Sequence, residues 1–124
     1  MNQANIDIQD RTFNFGVRII KLVDKLPRTL SATELGRQLI RSGTSIAANM
    51  EEANGAESKS DFIHKVSIAY KEARETRLWL AMIKTAILPD VGEVTELHCE
   101  CDEIVRILFA ILRTARSTRA SPKH

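Results

Sequence analysis

His98-Cys99-Glu100-Cys101 is the densest run of potential metal donors in the chain. Imidazole, thiolate and carboxylate are the groups that hold transition metals, provided that they converge on one point. Consecutive residues of a helix point about 100° apart, so this run cannot converge if it is helical. Cys101 also falls on an apolar repeat of alternating four- and three-residue spacing, which reads as a small buried hydrophobe. A di-metal centre in a helical bundle takes Glu from two helices and Glu-x-x-His from two others. Asp61-Phe62-Ile63-His64 is the one acid-x-x-His spacing, and nothing answers it in the last helical stretch. His124 is the terminal residue. The sequence predicts neither a metal nor a cofactor.

Covalent catalysis has no firmer footing. Ser42, Thr44 and Ser45 share one helical stretch, with no His three or four residues further on to act as base. Glu51, Glu52, Glu72 and Glu75 supply carboxylates that could in principle pair for acid–base work. Beside Lys71, Arg74 and Arg77 on helices, they read as solvated ion-pair partners. Gly43 and Gly55 are isolated, so no glycine-rich phosphate loop exists. An enzyme is not expected.

The elements that carry these residues follow from composition and punctuation. At 124 residues the chain is one domain, and 44% hydrophobic with 27% charged is ordinary for a globular protein. Eighteen Lys and Arg against sixteen Asp and Glu leave +2, and aromatics are 5%, too sparse for the interleaved stacking surface of a typical single-strand binder. No apolar run approaches the roughly 20 residues of a membrane span, and residues 1–10 lack the pattern of a signal peptide. Cys99 and Cys101, about 200° apart on a helix, suit neither a disulfide nor a CxxC site. A reduced, cytoplasmic protein without a membrane partner is expected.

Helices are predicted at about 11–26, 32–54, 59–88 and 91–117, between a flexible N-terminus (1–10) and a disordered tail (118–124). Pro27 stops the first. Ser31-Ala32-Thr33-Glu34 reads as a capping box for the second, with Asn54-Gly55 as a left-handed stop. Ser58 or Ser60 caps the third, Pro89 ends it, and Asp90 or a nearby residue caps the fourth. Phe62, Val66, Ala69, Ala73, Thr76, Leu80, Ile83 and Ile87 form one seam; Val94, Leu97, Cys101, Ile104, Leu108, Ile111 and Ala115 form another. The second helix supplies Leu35, Leu39, Ile46 and Ala53. The first supplies Phe13, Val17, Ile20 and Val23, widened by Ile19, Leu22 and Leu26. Short loops make neighbours antiparallel, so the fold is an all-α, up-down-up-down four-helix bundle.

Two features exceed what such a bundle needs. Leu78 and Met82 point away from the third helix's seam, flanked by Ile63, Ile68, Tyr70 and Trp79, while Val105, Phe109 and Leu112 widen the fourth helix's stripe. A helix apolar on both faces sits between layers or at a subunit contact, and four helices offer no second layer. Ile63, Tyr70, Leu78, Trp79 and Met82 are therefore predicted at a homo-oligomer interface. The second feature is charge. Residues 93–103 hold five acids and no Lys or Arg, and from 106 onward there are five bases and no acid. Helix-dipole preference explains Glu93, Glu96 and Arg116 but not Arg106. Lys71, Arg74, Arg77, Arg106, Arg113, Arg116 and Arg119 are candidates for phosphate contact, with solvated surface as the competing reading. Within the second helix, Gly43, Ala47 and Ala48 permit close helix approach. Asn49 needs a partner if buried, with Glu52 or Arg74 as candidates.

Arg41-Ser42-Gly43-Thr44-Ser45-Ile46, then Asn49 with Glu51-Glu52-Ala53, then Asp61-Phe62-Ile63-His64-Lys65 form a more specific signature, extended by Glu72-Ala73-Arg74-Glu75 and Trp79-Leu80. This stretch resembles the four-helix-bundle proteins encoded in intervening sequences of bacterial 23S ribosomal RNA genes. The resemblance implies a cytoplasmic, ring-like homopentamer without catalytic activity. A similar fold serves as the accessory protein of diversity-generating retroelements, a strongly basic pentamer that binds nucleic acid and its reverse transcriptase. The leading expectation is a non-enzymatic homo-oligomer, pentameric by resemblance, that binds RNA or DNA. The alternative is an oligomeric adaptor or scaffold that holds a protein partner and no nucleic acid.

Overall fold

The computed structural model describes residues 3–88 and 92–120. They form α1 (Gln3–Asp24), α2 (Leu30–Asn54), α3 (Lys59–Ala86) and α4 (Gly92–Ala120). α1 packs on α2 and α4, and α3 packs on the same two, so the helices occupy the corners of a square. Arg11, Arg18 and Lys25 of α1 meet Glu100, Glu96 and Glu93 of α4 in reverse order, which makes that pair antiparallel. The all-α, up-down-up-down bundle expected from periodicity is the observed fold.

The helix ends differ from the expected ones for local reasons. α1 begins at Gln3, not near residue 11, because no breaker intervenes and Ile8 continues the buried stripe. Gln9 Nε2 donates to the Met50 carbonyl at 3.1 Å and ties this added length to α2. Thr29, not Ser31, caps α2: it is extended, and its hydroxyl accepts from the Ala32 N–H at 3.2 Å. Ser31 thereby falls inside the first turn. Gly55 closes α2 at φ −100°, so the stop is not left-handed. Instead the last turn tightens, with Gly55 and Ala56 N–H groups bonding three residues back. Ser58 caps α3 by accepting from the Asp61 N–H at 3.0 Å, which leaves Ser60 in the first turn. α3 ends at Ala86, and Ile87 and Leu88 both donate to the Ile83 carbonyl. α4 continues through Ala120, past the expected stop at 117. Asp90, and residues 121–124 of the expected tail, lie outside the described residues.

The centres of the α3 and α4 seams bury as expected, with Val66, Ala69, Ala73, Thr76, Leu80 and Ile83 facing Val94, Leu97, Cys101, Ile104 and Leu108 in one core, while Phe62, Ile87, Ile111 and Ala115 at the seam ends are half-buried against it. The first helix does not bury as expected. Its buried face is Ile8, Thr12, Phe15, Ile19 and Leu22, whereas Phe13 is 64% exposed and Ile20 is also exposed. Two apolar stripes compete on this helix, and Phe15 takes the core with the polar Thr12 on the same line. Thr12 is accommodated because its hydroxyl donates to the Gln9 carbonyl at 3.1 Å.

Residues 42 and 43 hold three helices together. Ser42 and Thr76 are both buried, and their hydroxyls share a 2.8 Å hydrogen bond between α2 and α3. Thr76 Oγ1 is also 2.8 Å from the Glu72 carbonyl, so neither hydroxyl is left unpaired. On the next residue, α1 approaches so closely that a Cβ on Gly43 would lie 3.0 Å from Ile19 Cγ2. Asn49 is satisfied inside its own helix, with Nδ2 donating to the Ser45 carbonyl at 2.9 Å. Neither Glu52 nor Arg74 is its partner.

Two alanine substitutions separate packing from helix propensity. Gly→Ala in a helix interior gains about 1 kcal/mol. At Gly16 the new Cβ would meet ordinary contacts at 3.8–3.9 Å, so Gly16→Ala should be stabilising. At Gly43 the β-branched, fully buried Ile19 must move, and overpacking of about 1–3 kcal/mol outweighs the propensity gain. Gly43→Ala should lower the urea midpoint and Gly16→Ala should raise it. A rise in both would show that α1 and α2 have slack at Ile19.

Candidate nucleic-acid interface

The ion pairs of the bundle sort by seam. Between α1 and α4, Arg11 contacts Glu100 at 2.6 Å and Glu103 at 2.8 Å, Arg18 contacts Glu96 at 3.3 Å, and Lys25 contacts Glu93 at 3.4 Å. The hydrogen bonds that Arg11 donates to Glu100 and then Glu103 raise its pKa further above its ordinary value. Between α2 and α3, Arg41 contacts Glu75 and Glu72, and Lys65 contacts Glu52 at 2.7 Å. The acidic half of α4 is therefore answered by the bases of α1, a cause beyond the helix dipole. The carboxylates Glu72 and Glu75 are held from α2 rather than by their neighbours on α3.

The outer α3–α4 seam is different. Lys71, Arg74, Arg77, Arg106, Arg113 and Arg116 gather there, and few acids answer them. Asp102 accepts from Arg77 at 2.7 Å and from Arg106 at 2.9 Å, so one carboxylate serves two guanidinium groups. Arg116 donates to Ser67 Oγ at 3.0 Å, a neutral partner. Arg74 lies over the Tyr70 ring at 5.7 Å, and Arg113 over the Phe109 ring at 6.0 Å. The two rings touch, with centroids 6.1 Å apart and planes inclined by 40°. Lys71 is exposed and has no ion pair among the described residues. Towards the α3 C-terminus the seam opens into a groove of about 750 Å³, lined by Lys71, Arg74, Arg77, Leu78, His98 and Asp102 among others.

The structure thus brings together all but one of the predicted basic residues; the Arg119 side chain lies outside the described residues. It divides the predicted interface residues. Leu78 and Met82 are 48% and 43% exposed, as the helical wheel requires. Tyr70 and Trp79 are half-buried against the core, and Trp79 Nε1 is enclosed without an acceptor among the described residues. Ile63 is only 6% exposed and belongs to the core. It sits one residue after Phe62, and at that end of α3 the bundle packs on both. Of the wide stripe on α4, Val105 and Leu112 are buried and Phe109 alone of the three is exposed.

Phe109 is the residue that the sequence pattern placed only in an apolar stripe. The available signal was an aromatic followed four residues later by arginine, which occurs on both helices as Tyr70–Arg74 and Phe109–Arg113. The donor-rich run 98–101 is dispersed. Cys101 is buried, donates to the Ala73 carbonyl at 3.3 Å, and has its pKa pushed up to about 12 by burial, while Cys99 is exposed. Among the described residues, no three His, Cys, Asp or Glu side chains are grouped to hold a metal, and no helix is long and apolar enough to cross a membrane.

Asp102 makes the seam sensitive to acid. The Arg77 hydrogen bond is the main cause holding its carboxyl below the usual range, helped by the charge of Arg106. A carboxyl lowered on folding contributes stability that is complete above its unfolded pKa of about 3.9 and is lost as pH falls through the folded value. Asp102→Asn should therefore be less stable than the parent at about pH 7, and the gap should close below about pH 4. Urea unfolding of both proteins across this range checks it; a constant gap would assign Asp102 a packing role.

Residues 4–110 match the family model described as 23S rRNA-intervening sequence protein. A crystal structure of a protein of unknown function from the S23 ribosomal protein family of Bacteroides thetaiotaomicron is similar, with 33% identity and a TM-score of 0.82. The alignment covers 90% of this chain and 99% of that one. No curated protein matches. With the bundle, its register and the family match in agreement, the chain belongs to the 23S rRNA-intervening sequence protein family.

Proposed function

We propose that this protein is a non-enzymatic, cytoplasmic, homo-oligomeric accessory factor that binds RNA or DNA through the α3–α4 seam. The observation that carries the reading is the concentration of under-neutralised cations on one seam while the α1–α4 and α2–α3 seams are internally matched. Phosphates are the natural counter-charge for such a stripe, and binding them displaces counterions. Leu78 and Met82 sit two to three helical turns from Tyr70 along α3, by the rise of about 1.5 Å per residue. Leu78 is also one turn from Arg74 and lines the same groove, so a second copy seated on that apolar end borders the basic seam. The resemblance to ring-forming relatives supports a pentameric assembly, in which repetition around a ring multiplies the field of each seam.

A second reading, an adaptor for a protein partner, draws on the exposed Phe13, Ile20, Leu78 and Met82. The two readings part on salt and on arginine. The family's name refers to 23S rRNA intervening sequences, so rRNA fragments are the first probe. Fluorescence anisotropy should show affinity falling steeply between about 50 and 200 mM salt. Arg74→Ala with Arg113→Ala should weaken binding and flatten the salt slope by about two, one for each phosphate no longer neutralised. Arg18→Ala, in the matched α1–α4 seam, should leave both unchanged. Absence of binding at the lower salt overturns the nucleic-acid reading, and partner capture abolished by Met82 substitution but not by arginine substitution favours the adaptor. Sedimentation at 13.9 kDa would contradict the oligomer.

A further inference from the structure

Arg74, Tyr70, Phe109 and Arg113 contact one another in series across the α3–α4 seam, as one layer of guanidinium and ring groups. Guanidinium to ring, ring to ring and ring to guanidinium, the separations are 5.7, 6.1 and 6.0 Å. Half of Phe109 is open to solvent, and its exposed surface does nothing for the core. The layer lies within the stripe of cations, with Lys71 beside Arg74 on α3 and Arg116 one turn beyond Arg113 on α4.

We infer that this layer receives unpaired bases, so that the seam is built for single-stranded nucleic acid rather than duplex. The inference rests on the phosphate-binding reading above and adds the recognition of bases to it. A phosphate backbone alone requires only cations. An aromatic pair held between two arginines supplies what a cation stripe lacks, exposed aromatic surface at Phe109 on which a base stacks, and guanidinium planes accept bases as rings do. Every base has such a face, so the preference is for strandedness and not for sequence. In a duplex the base faces are already stacked and the layer meets only the backbone. The two arginines contribute twice, orienting the rings and pairing with the flanking phosphates.

The test compares four probes of equal length with the full-length protein: a single-stranded RNA, the same sequence as DNA, its duplex, and an abasic strand that keeps the phosphates. The single strand should bind about tenfold tighter than the abasic strand, the scale of one stacked base. Phe109→Ala should bring the single strand down to the abasic level and leave the duplex and abasic probes unchanged. Phe109→Trp should restore the difference, and circular dichroism of both variants at the parent level excludes a folding defect. The RNA and DNA arms identify which single strand is the ligand, with the dependence on Phe109 present in whichever binds. Equal binding of the single and abasic strands, or Phe109→Ala without effect, overturns base recognition while leaving phosphate binding intact. No binding to any probe overturns both.

Discussion

The register of the bundle depends on one pair of neighbouring residues in α2. Ser42 reaches α3 through a buried hydroxyl pair with Thr76, and Gly43 admits α1 against Ile19. A hydroxyl pair in an apolar interior is directional: sliding α2 against α3 would break the Ser42–Thr76 bond and leave each hydroxyl only the carbonyl of its own helix, Leu39 for Ser42 and Glu72 for Thr76. An apolar contact is far more forgiving of such a slide. The glycine adds a distance constraint where the serine adds a directional one. With α1 and α3 both indexed to the same turn of α2, α4 closes the square against them through Arg11, Arg18 and Lys25 on one side and Arg77 on the other.

This indexing decides which charges neutralise one another. α4 is acidic in its first half and basic in its second. With α1 antiparallel to it, Lys25, Arg18 and Arg11 fall opposite successive turns of the acidic half. The basic half has no such partner helix: α3 offers it Ser67 and the Tyr70 ring, and Asp102 alone is shared between Arg77 and Arg106. Exposed pairs contribute little to stability individually, about 0–1 kcal/mol. Their larger consequence is subtractive, since each removes an acid from the field that the α3–α4 seam projects.

The fold was legible because the long seams of α3 and α4 have a strict period and few competing stripes. α1 was less so. Phe13, Val17 and Ile20 make as good an apolar line as Ile8, Thr12, Phe15 and Ile19, and it is tertiary contact, such as that of Gly43 with Ile19, that distinguishes them. That contact joins residues far apart in sequence and has no local signature. The difference at the α2 cap has a similar origin: both Thr29 and Ser31 have the chemistry, and the path out of Pro27 chooses the earlier one. At the candidate interface the individual arginines were visible, but their pairing was not. Asp102 looked like one acid among five, and nothing local marks it as the one that faces α3.

A net charge of +2 therefore describes the chain poorly. The average suggests weak attraction to nucleic acid, whereas the α1–α4 and α2–α3 seams carry their own ion pairs and the α3–α4 seam gathers cations that few acids answer. Affinity for a polyanion depends on the local potential within about 8–10 Å, the screening length near physiological salt, and not on the sum over the molecule. Acids held by α1 bases across the bundle are screened from a strand lying on α3–α4, while Arg74 and Arg113, which among the described residues lie against ring faces without an ion pair, are not. An aromatic partner leaves a guanidinium's charge and its N–H groups free for a phosphate in a way that a carboxylate partner does not. The Tyr70 and Phe109 rings thus keep two arginines in place without neutralising them, which allows a nearly neutral protein to present a basic face.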